Sequence, residues 1–162
     1  MKKIFLLILL ISFNSFSQKS LKKLLKKYNT ESVKYAYIDK TKVNSNVVLL
    51  DARELKEFKV SHIKNAIHVG YDNFNLKETT SKLADKNATI IVYCSVGIRS
   101  EDIAEKLQKA GYKNVFNLFG GIFEWKNKQN VVVDTNNNPT EKVHTFSKEW
   151  SKWLKKGIKV YE

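Results

Sequence analysis

Among 29 basic residues only Arg53 and Arg99 are arginine, and the 162-residue chain holds one cysteine, Cys94. A sequence that uses lysine wherever charge alone is needed keeps its guanidinium groups for places where a fixed fork of donors matters, against a carboxylate or an oxyanion. Cys94 and Arg99 share one short segment: Cys94, Ser95, Val96, Gly97, Ile98, Arg99, Ser100. A cysteine attacks as its thiolate, which forms at neutral pH only in positive potential. The segment supplies that potential if Cys94 ends a strand and a helix starts near Ser100, because a helix N-terminus presents unpaired N–H groups and the positive end of its dipole. Gly97 lets the loop bend so that successive amides point inward. Arg99 adds a fixed charge, and since the dipole opposes a cation at this end of a helix, packing alone does not account for it. With no second cysteine, no internal disulfide forms. The chemistry these residues suit is nucleophilic attack by sulfur on an anion held in the same cradle.

Such a cradle needs a parallel α/β sheet, where ligands collect outside the carboxyl ends of the strands. Short apolar, β-rich runs at residues 35–38, 47–50 and 89–93 each precede a polar or helical stretch, and residues 115–117 read as a further strand. Strands alternating with helices imply parallel pairing. Residues 81–85 and 100–110 read as helices, the second with Ile103, Ala104, Leu107 and Ala110 on one face and a stop at Gly111. Gly120 and Gly121 make a tight turn into a helix carrying Ile122, Phe123 and Trp125. Asp51 ends the strand at 47–50 and, with Arg53, offers a helix cap and an ion pair.

At these residues the chain resembles the rhodanese-like domains. The cysteine loop is similar to their Cys-x-x-Gly-x-Arg loop. Asp51, Ala52, Arg53, Glu54, Leu55, Lys56, Glu57, Phe58 resembles their Asp-x-Arg-x-x-x-Glu-Phe segment, and Ser61, His62, Ile63, Lys64, Asn65, Ala66 stands where members often read Gly-His-Ile-x-Gly-Ala. Gly120, Gly121 and Trp125 match the Gly-Gly turn and tryptophan, so the likeness runs in family order over residues 35–126. The resemblance implies an α/β fold with a central parallel sheet of about five strands and helices on both faces. It implies a double-displacement sulfur transfer in which Cys94 attacks the outer sulfur of a donor such as thiosulfate, releases sulfite, and holds a persulfide for a thiophilic acceptor. Cys94 and Arg99 would be catalytic. Ser95, Val96, Gly97, Ile98 and Ser100 would bind the substrate and stabilise the persulfide and the leaving anion. Asp51 and Arg53 would brace the loop, with either Arg53 or Arg99 as the partner of Asp51. No cofactor or metal is implied. The chain departs from the family at Ser95, where many thiosulfate-using members carry a basic residue, at Ser61 and Asn65, which replace frequent glycines, and at Gly70, where proline is common. His62 reads as structural.

The flanks have their own patterns. Met1, Lys2 and Lys3 precede an apolar run at residues 4–11, and small residues Ser15 and Ser17 follow. This is the pattern of a secretory signal peptide, residues 1–17, cut before Gln18; the run is shorter than the roughly 20 residues that span a bilayer. Its removal lowers the net charge from +13 to +11, with 27 basic and 16 acidic residues remaining. A basic exported protein is expected to meet anions and anionic membranes, and no nucleic acid. Residues 18–33 form a basic amphipathic segment: Leu21, Leu24, Leu25 and Tyr28 recur at helical spacing, with Lys22, Lys23, Lys26 and Lys27 opposite. Its stripe suits either weak contact with a membrane surface or docking on the domain. The rhodanese-like domain is expected at residues 34–130. Residues 131–162 form a C-terminal extension in which residues 136–139 are a loop and Phe146, Trp150, Trp153 and Leu154 form a helical stripe packed on its own domain. His62, His68 and His144 are not spaced as metal ligands.

The partners this implies are a small anionic sulfur donor and an external thiol, cyanide or protein acceptor, with the protein a monomer, exported to the periplasm or beyond. Two other readings draw on the same residues. A cysteine phosphatase also cradles an anion over a thiolate, but its loop puts five residues between Cys and Arg, where this chain has the four residues 95–98. A non-catalytic module binding an anion, a protein or a membrane would need neither Cys94 nor Arg99.

Overall fold

The computed structural model describes residues 20–37, 47–83 and 85–161. The expected signal peptide lies outside them. The chain divides into two compact units, residues 1–30 and 31–162. In the first, α1 covers residues 20–28, with Lys22, Lys23, Lys26 and Lys27 exposed. The Asn29 N–H closes its last turn on the Leu25 carbonyl at 2.8 Å.

The second unit is built on five parallel strands: β1 (Tyr35–Ala36), β2 (Val47–Asp51), β3 (Ile67–His68), β4 (Thr89–Tyr93) and β5 (Asn114–Leu118), in the spatial order β1-β5-β4-β2-β3. The helices between them are α2 (Leu55–Val60), α3 (Leu76–Ser81), α4 (Arg99–Lys109) and α5 (Gly121–Asn127). Neighbouring side chains of a strand project to opposite faces, and in central β4 Ile90, Ile91, Val92 and Tyr93 are all buried. Both faces of the sheet are therefore covered, as in other parallel sheets. Leu50, Ile90 and Val92 pack with Ile103, Ala104 and Leu107 of α4 and with Leu83 and Tyr112 in one core cluster.

Two expectations need correction, and one helix is added to them. The helix expected at 81–85 lies earlier, at Leu76–Ser81. Asn75 caps it by accepting the Glu78 N–H at 3.0 Å, and the Asp85 carboxylate accepts the Asn87 N–H at 2.8 Å, holding a turn into β4. Periodicity does not announce α2, which is only six residues long and rests on a capping box between Glu54 and Glu57. The aromatic stripe of the C-terminal segment is not a continuous helix. Only Trp150–Trp153 forms a 3₁₀ turn, and Phe146 stands outside it with φ +63°. The flanking strands, β8 (Lys142–His144) and β9 (Ile158–Val160), pair in parallel, and their return path interrupts helical spacing.

Residues 131–162 belong to the same compact unit as the sheet. β6 (Val132–Val133) and β7 (Pro139–Thr140) form an antiparallel pair around the 134–138 turn, and β6 is tied to His62 by reciprocal backbone bonds of 2.9 Å with Val133. The buried side chains of Val132, Val143 and Leu154 anchor the segment. Among the described residues no helix is long and apolar enough to cross a membrane.

Candidate active site

Cys94 follows the last residue of β4, and its sulfur is buried where the chain turns into α4. The Gly97 N–H donates to Sγ at 3.1 Å, and the Ser100 hydroxyl lies 3.5 Å from it. Burial alone would push the thiol up. The Arg99 charge, the Ser100 hydroxyl and N–H, and the Gly97 N–H outweigh it and hold the thiol below its ordinary value.

The loop is fixed from three sides. Behind it, the first amides of α5 donate to its carbonyls: Ile122 N–H to Cys94 O at 2.9 Å and Phe123 N–H to Ser95 O at 3.1 Å. This approach requires glycine at 121, since a Cβ there would lie 2.2 Å from the Cys94 carbonyl oxygen. Gly97, at φ +105°, makes the bend that aims its amide at the sulfur. From β5, the buried Asn117 side chain donates to Gly97 O at 2.8 Å and accepts the Ser100 hydroxyl at 2.8 Å. Ser100 has one hydroxyl hydrogen and two acceptors in reach, the Asn117 carbonyl oxygen and the sulfur.

The third side is α2, through Glu57. Its fully buried carboxylate accepts four hydrogen bonds: from Arg99 Nη1 at 2.8 Å, Arg99 Nη2 at 2.9 Å, the Ser95 hydroxyl at 3.1 Å and the Glu54 N–H at 3.0 Å. Burial pushes this carboxyl up, but the Arg99 bonds and charge together with Arg53 hold it below its ordinary range. The same pairing raises Arg99 further, so the guanidinium stays charged. This answers the objection that a cation opposes the α4 dipole: Glu57 neutralises it in place. Asp51 therefore pairs with Arg53 and not Arg99. Arg53 Nη2 meets Asp51 Oδ2 at 2.6 Å, both side chains fully buried, and reaches on to the Ser61 carbonyl at 2.7 Å. Ser61 is the C-cap of α2, so the pair locks the helix that carries Glu57 to the end of β2.

A cavity of about 200 Å³ opens over the sulfur. Cys94, Ser95, Val96, Ile98 and Arg99 form its floor, and Phe146 and Trp150 of the C-terminal segment line the rest. Gly97 and Ser100 contact the sulfur from beneath. His62 lies apart, stacked on Phe58 at 3.9 Å with its Nδ1 3.2 Å from the Phe58 carbonyl. The departures at Asn65 and Gly70 sit at φ +65° and +70°; asparagine tolerates the first, and proline could not adopt the second. Among the described residues no group of three His, Cys, Asp or Glu side chains could hold a metal ion.

The family profile of the Rhodanese-like domain matches residues 17–128. The chain belongs to the rhodanese-like domain family. Over 93 residues this rhodanese-like domain is 36% identical to the thiosulfate sulfurtransferase GlpE of Coxiella burnetii, an alignment covering 57% of this chain and 83% of that protein. Over 101 residues it is 34% identical to the tRNA uridine(34) hydroxylase of Photorhabdus laumondii, covering 60% of this chain but 29% of that protein. The crystal structure of the BH2092 protein from Bacillus halodurans superposes with a TM-score of 0.54 at 26% identity, covering 70% of this chain and 86% of that one.

In the sequence Gly121 reads only as a turn residue and Phe146 and Trp150 only as packing, and Glu57 and Asn117 have no role in the site. Glu57 and Asn117 nevertheless left a signal. Two arginines in a lysine-rich chain call for two carboxylates, and Glu57 stands beside Asp51 in the same segment. Asn117 is a polar residue inside the apolar run of β5. Phe146 and Trp150 reach the site only through the return path of the C-terminal segment.

Proposed function

We propose that this rhodanese-like domain is a sulfurtransferase in which Cys94 carries a sulfane sulfur between an external donor and an external thiophilic acceptor. The observation that carries the reading is the sole cysteine's sulfur held 3.1 Å from the Gly97 amide at the mouth of α4, with Arg99 bound in place by Glu57. The Cys94 thiolate attacks the outer sulfur of the donor. A new S–S bond forms, the donor's own S–S bond breaks, and the leaving group departs with the electron pair, as sulfite when the donor is thiosulfate. The loop amides and the Ser100 hydroxyl stabilise the charge on the persulfide. An acceptor thiolate or cyanide then attacks the terminal sulfur and returns the Cys94 thiolate. Cys94 is the only cysteine, so the persulfide is discharged to an outside acceptor: a small thiol, cyanide or a partner protein. The signal-peptide pattern of residues 1–17 supports placing this chemistry outside the cytoplasm.

The test is the intact mass after exposure to thiosulfate, a thiosulfonate and inorganic polysulfide. One added sulfur atom, removed by cyanide with release of thiocyanate and absent in Cys94→Ser, is the expected result. An unchanged mass with all three donors would sink the reading.

A further inference from the structure

The side chains over Cys94 are those of an apolar slot and not of a receptor for a small dianion. Val96, Ile98, Phe146 and Trp150 are the apolar residues that line the cavity. Among the described lining residues Arg99 is the only fixed cation, and it is already engaged. Glu57 holds both of its Nη atoms, and the Phe146 ring covers a face of the guanidinium at 5.3 Å. Only 18% of the Arg99 side chain is exposed. Counting Glu57, Arg99 and an ionised Cys94 together, the group is net negative by one charge, a poor site for a second and third negative charge.

Phe146 is not left over the slot by default. It holds φ +63°, a conformation seldom seen for a bulky residue. The His144 ring fixes it there by accepting the Phe146 N–H on Nδ1 at 3.1 Å. That bond needs an unprotonated Nδ1, and burial holds His144 below its ordinary value. Phe146 nevertheless remains 46% exposed. A strained backbone that projects a large apolar ring into solvent at the mouth of a reactive cavity is explained if a substrate completes the packing.

Building on the sulfur-transfer reading, we propose that the preferred sulfane donor is an organic monoanion, a persulfide or thiosulfonate whose aromatic or bulky apolar group lies against Phe146 and Trp150, and that these two residues set donor specificity. For a thiosulfonate, the Cys94 thiolate takes the outer sulfur, the sulfur–sulfonyl bond breaks, and a sulfinate leaves with the electron pair. The apolar group touches the protein before and during this step, so the contact acts mainly through KM.

The experiment measures thiocyanate release with cyanide as acceptor, for benzenethiosulfonate, methanethiosulfonate and thiosulfate, in the wild type, Phe146→Ala, Trp150→Ala and the double variant. The quantity read is the ratio of kcat/KM for benzenethiosulfonate to that for methanethiosulfonate. Intrinsic donor reactivity cancels when this ratio is compared between proteins. The ratio is expected to fall on the order of tenfold in the double variant, through a higher KM for the aromatic donor, with methanethiosulfonate and thiosulfate little changed. An unchanged ratio, or an equal loss on all three donors, overturns the specificity role. Inorganic polysulfide loading of Cys94 separates the two levels. If it persists in every variant while the ratio does not move, the specificity inference fails and the sulfur-transfer reading stands. If polysulfide and the three donors all fail to load the wild type, both fall.

Discussion

The loop at residues 94–100 and the segment between β8 and β9 meet over one sulfur atom, yet they are held very differently. The loop is buried and bound on three sides, by the α5 amides, by Asn117 and by Glu57. The segment is tied down at its ends, by Thr145 to Val160 and by Asn127 to Trp153 and Lys155, but reaches the cavity through an exposed phenylalanine whose N–H bonds the His144 ring and through a single 3₁₀ turn. Groups that stabilise charge on a nucleophile must be in place before the reaction, because reorienting dipoles during it would cost the stabilisation they provide. A wall that sorts substrates by shape has no such demand and can sit on more exposed chain. On the proposed reading, chemistry belongs to the deeply buried loop and discrimination to the more exposed segment.

Substitutions can break this division, and the largest effects belong to the loop. Replacing the nucleophile, as in Cys94→Ser, is expected to abolish sulfur loading while leaving the fold intact by circular dichroism. Gly121→Ala puts a Cβ 2.2 Å from the Cys94 carbonyl oxygen. It should cost about 3 kcal/mol or more in urea unfolding and distort the loop in what remains folded, since backbone on both sides of the clash can yield only by shifting α5 or the cradle. A denaturation midpoint equal to that of the wild type would mean the two backbones are not in this close approach.

Next in size is the loss of the cradle's charge. The Cys94 thiol lies below its ordinary value, so its alkylation by iodoacetamide should persist as pH falls through the usual thiol range and decline only at the lowered value. Arg99 is the strongest influence pulling it down, against the upward push of burial. In Arg99→Gln the alkylation profile therefore moves to higher pH, and a coincident profile would show that the amides alone set the thiolate. Asn117→Ala removes the hydrogen bonds to the buried Gly97 carbonyl and from the Ser100 hydroxyl and should cost about 1–3 kcal/mol. Its alkylation profile should move less than that of Arg99→Gln.

The smallest effect on stability belongs to the other region. Phe146→Ala removes an exposed ring and one cation–π contact, and its unfolding free energy should change by no more than about 1 kcal/mol. A large loss of stability there would place Phe146 with the structural core and erase the contrast between the two regions.

Much of the site is legible in the chain because it is local. Cys94, Gly97, Arg99 and Ser100 lie on one turn of backbone, so their spacing already implies a thiol at the mouth of a helix. The Asp51 to Arg53 pair is equally short-range, two residues apart at the end of β2, yet the spacing leaves Arg99 open as the partner of Asp51 and only the fold closes that choice. The boundaries of α4 and β5 follow from apolar periodicity and from Gly111, to within a residue. Periodicity misplaces α3 and passes over α2 because those helices are six residues long and are defined by side-chain caps at Asn75 and Glu54, not by an apolar stripe. The C-terminal stripe misleads for the opposite reason. Its spacing is helical, but the pairing of β8 with β9 overrides it.

By itself the sequence determined a lone thiol and an arginine on one short loop at the mouth of a helix, the alternation that demands a parallel sheet, and so the family. Those properties depend on residues close together in the chain. Only the tertiary structure decided that Arg99 answers to Glu57 across 42 positions, that Asn117 clamps the loop from another strand, and that Phe146 and Trp150 close over the sulfur. Such contacts depend on the order of strands in the sheet and on the return path of the chain, and neither leaves a periodic trace in the residues that finally meet.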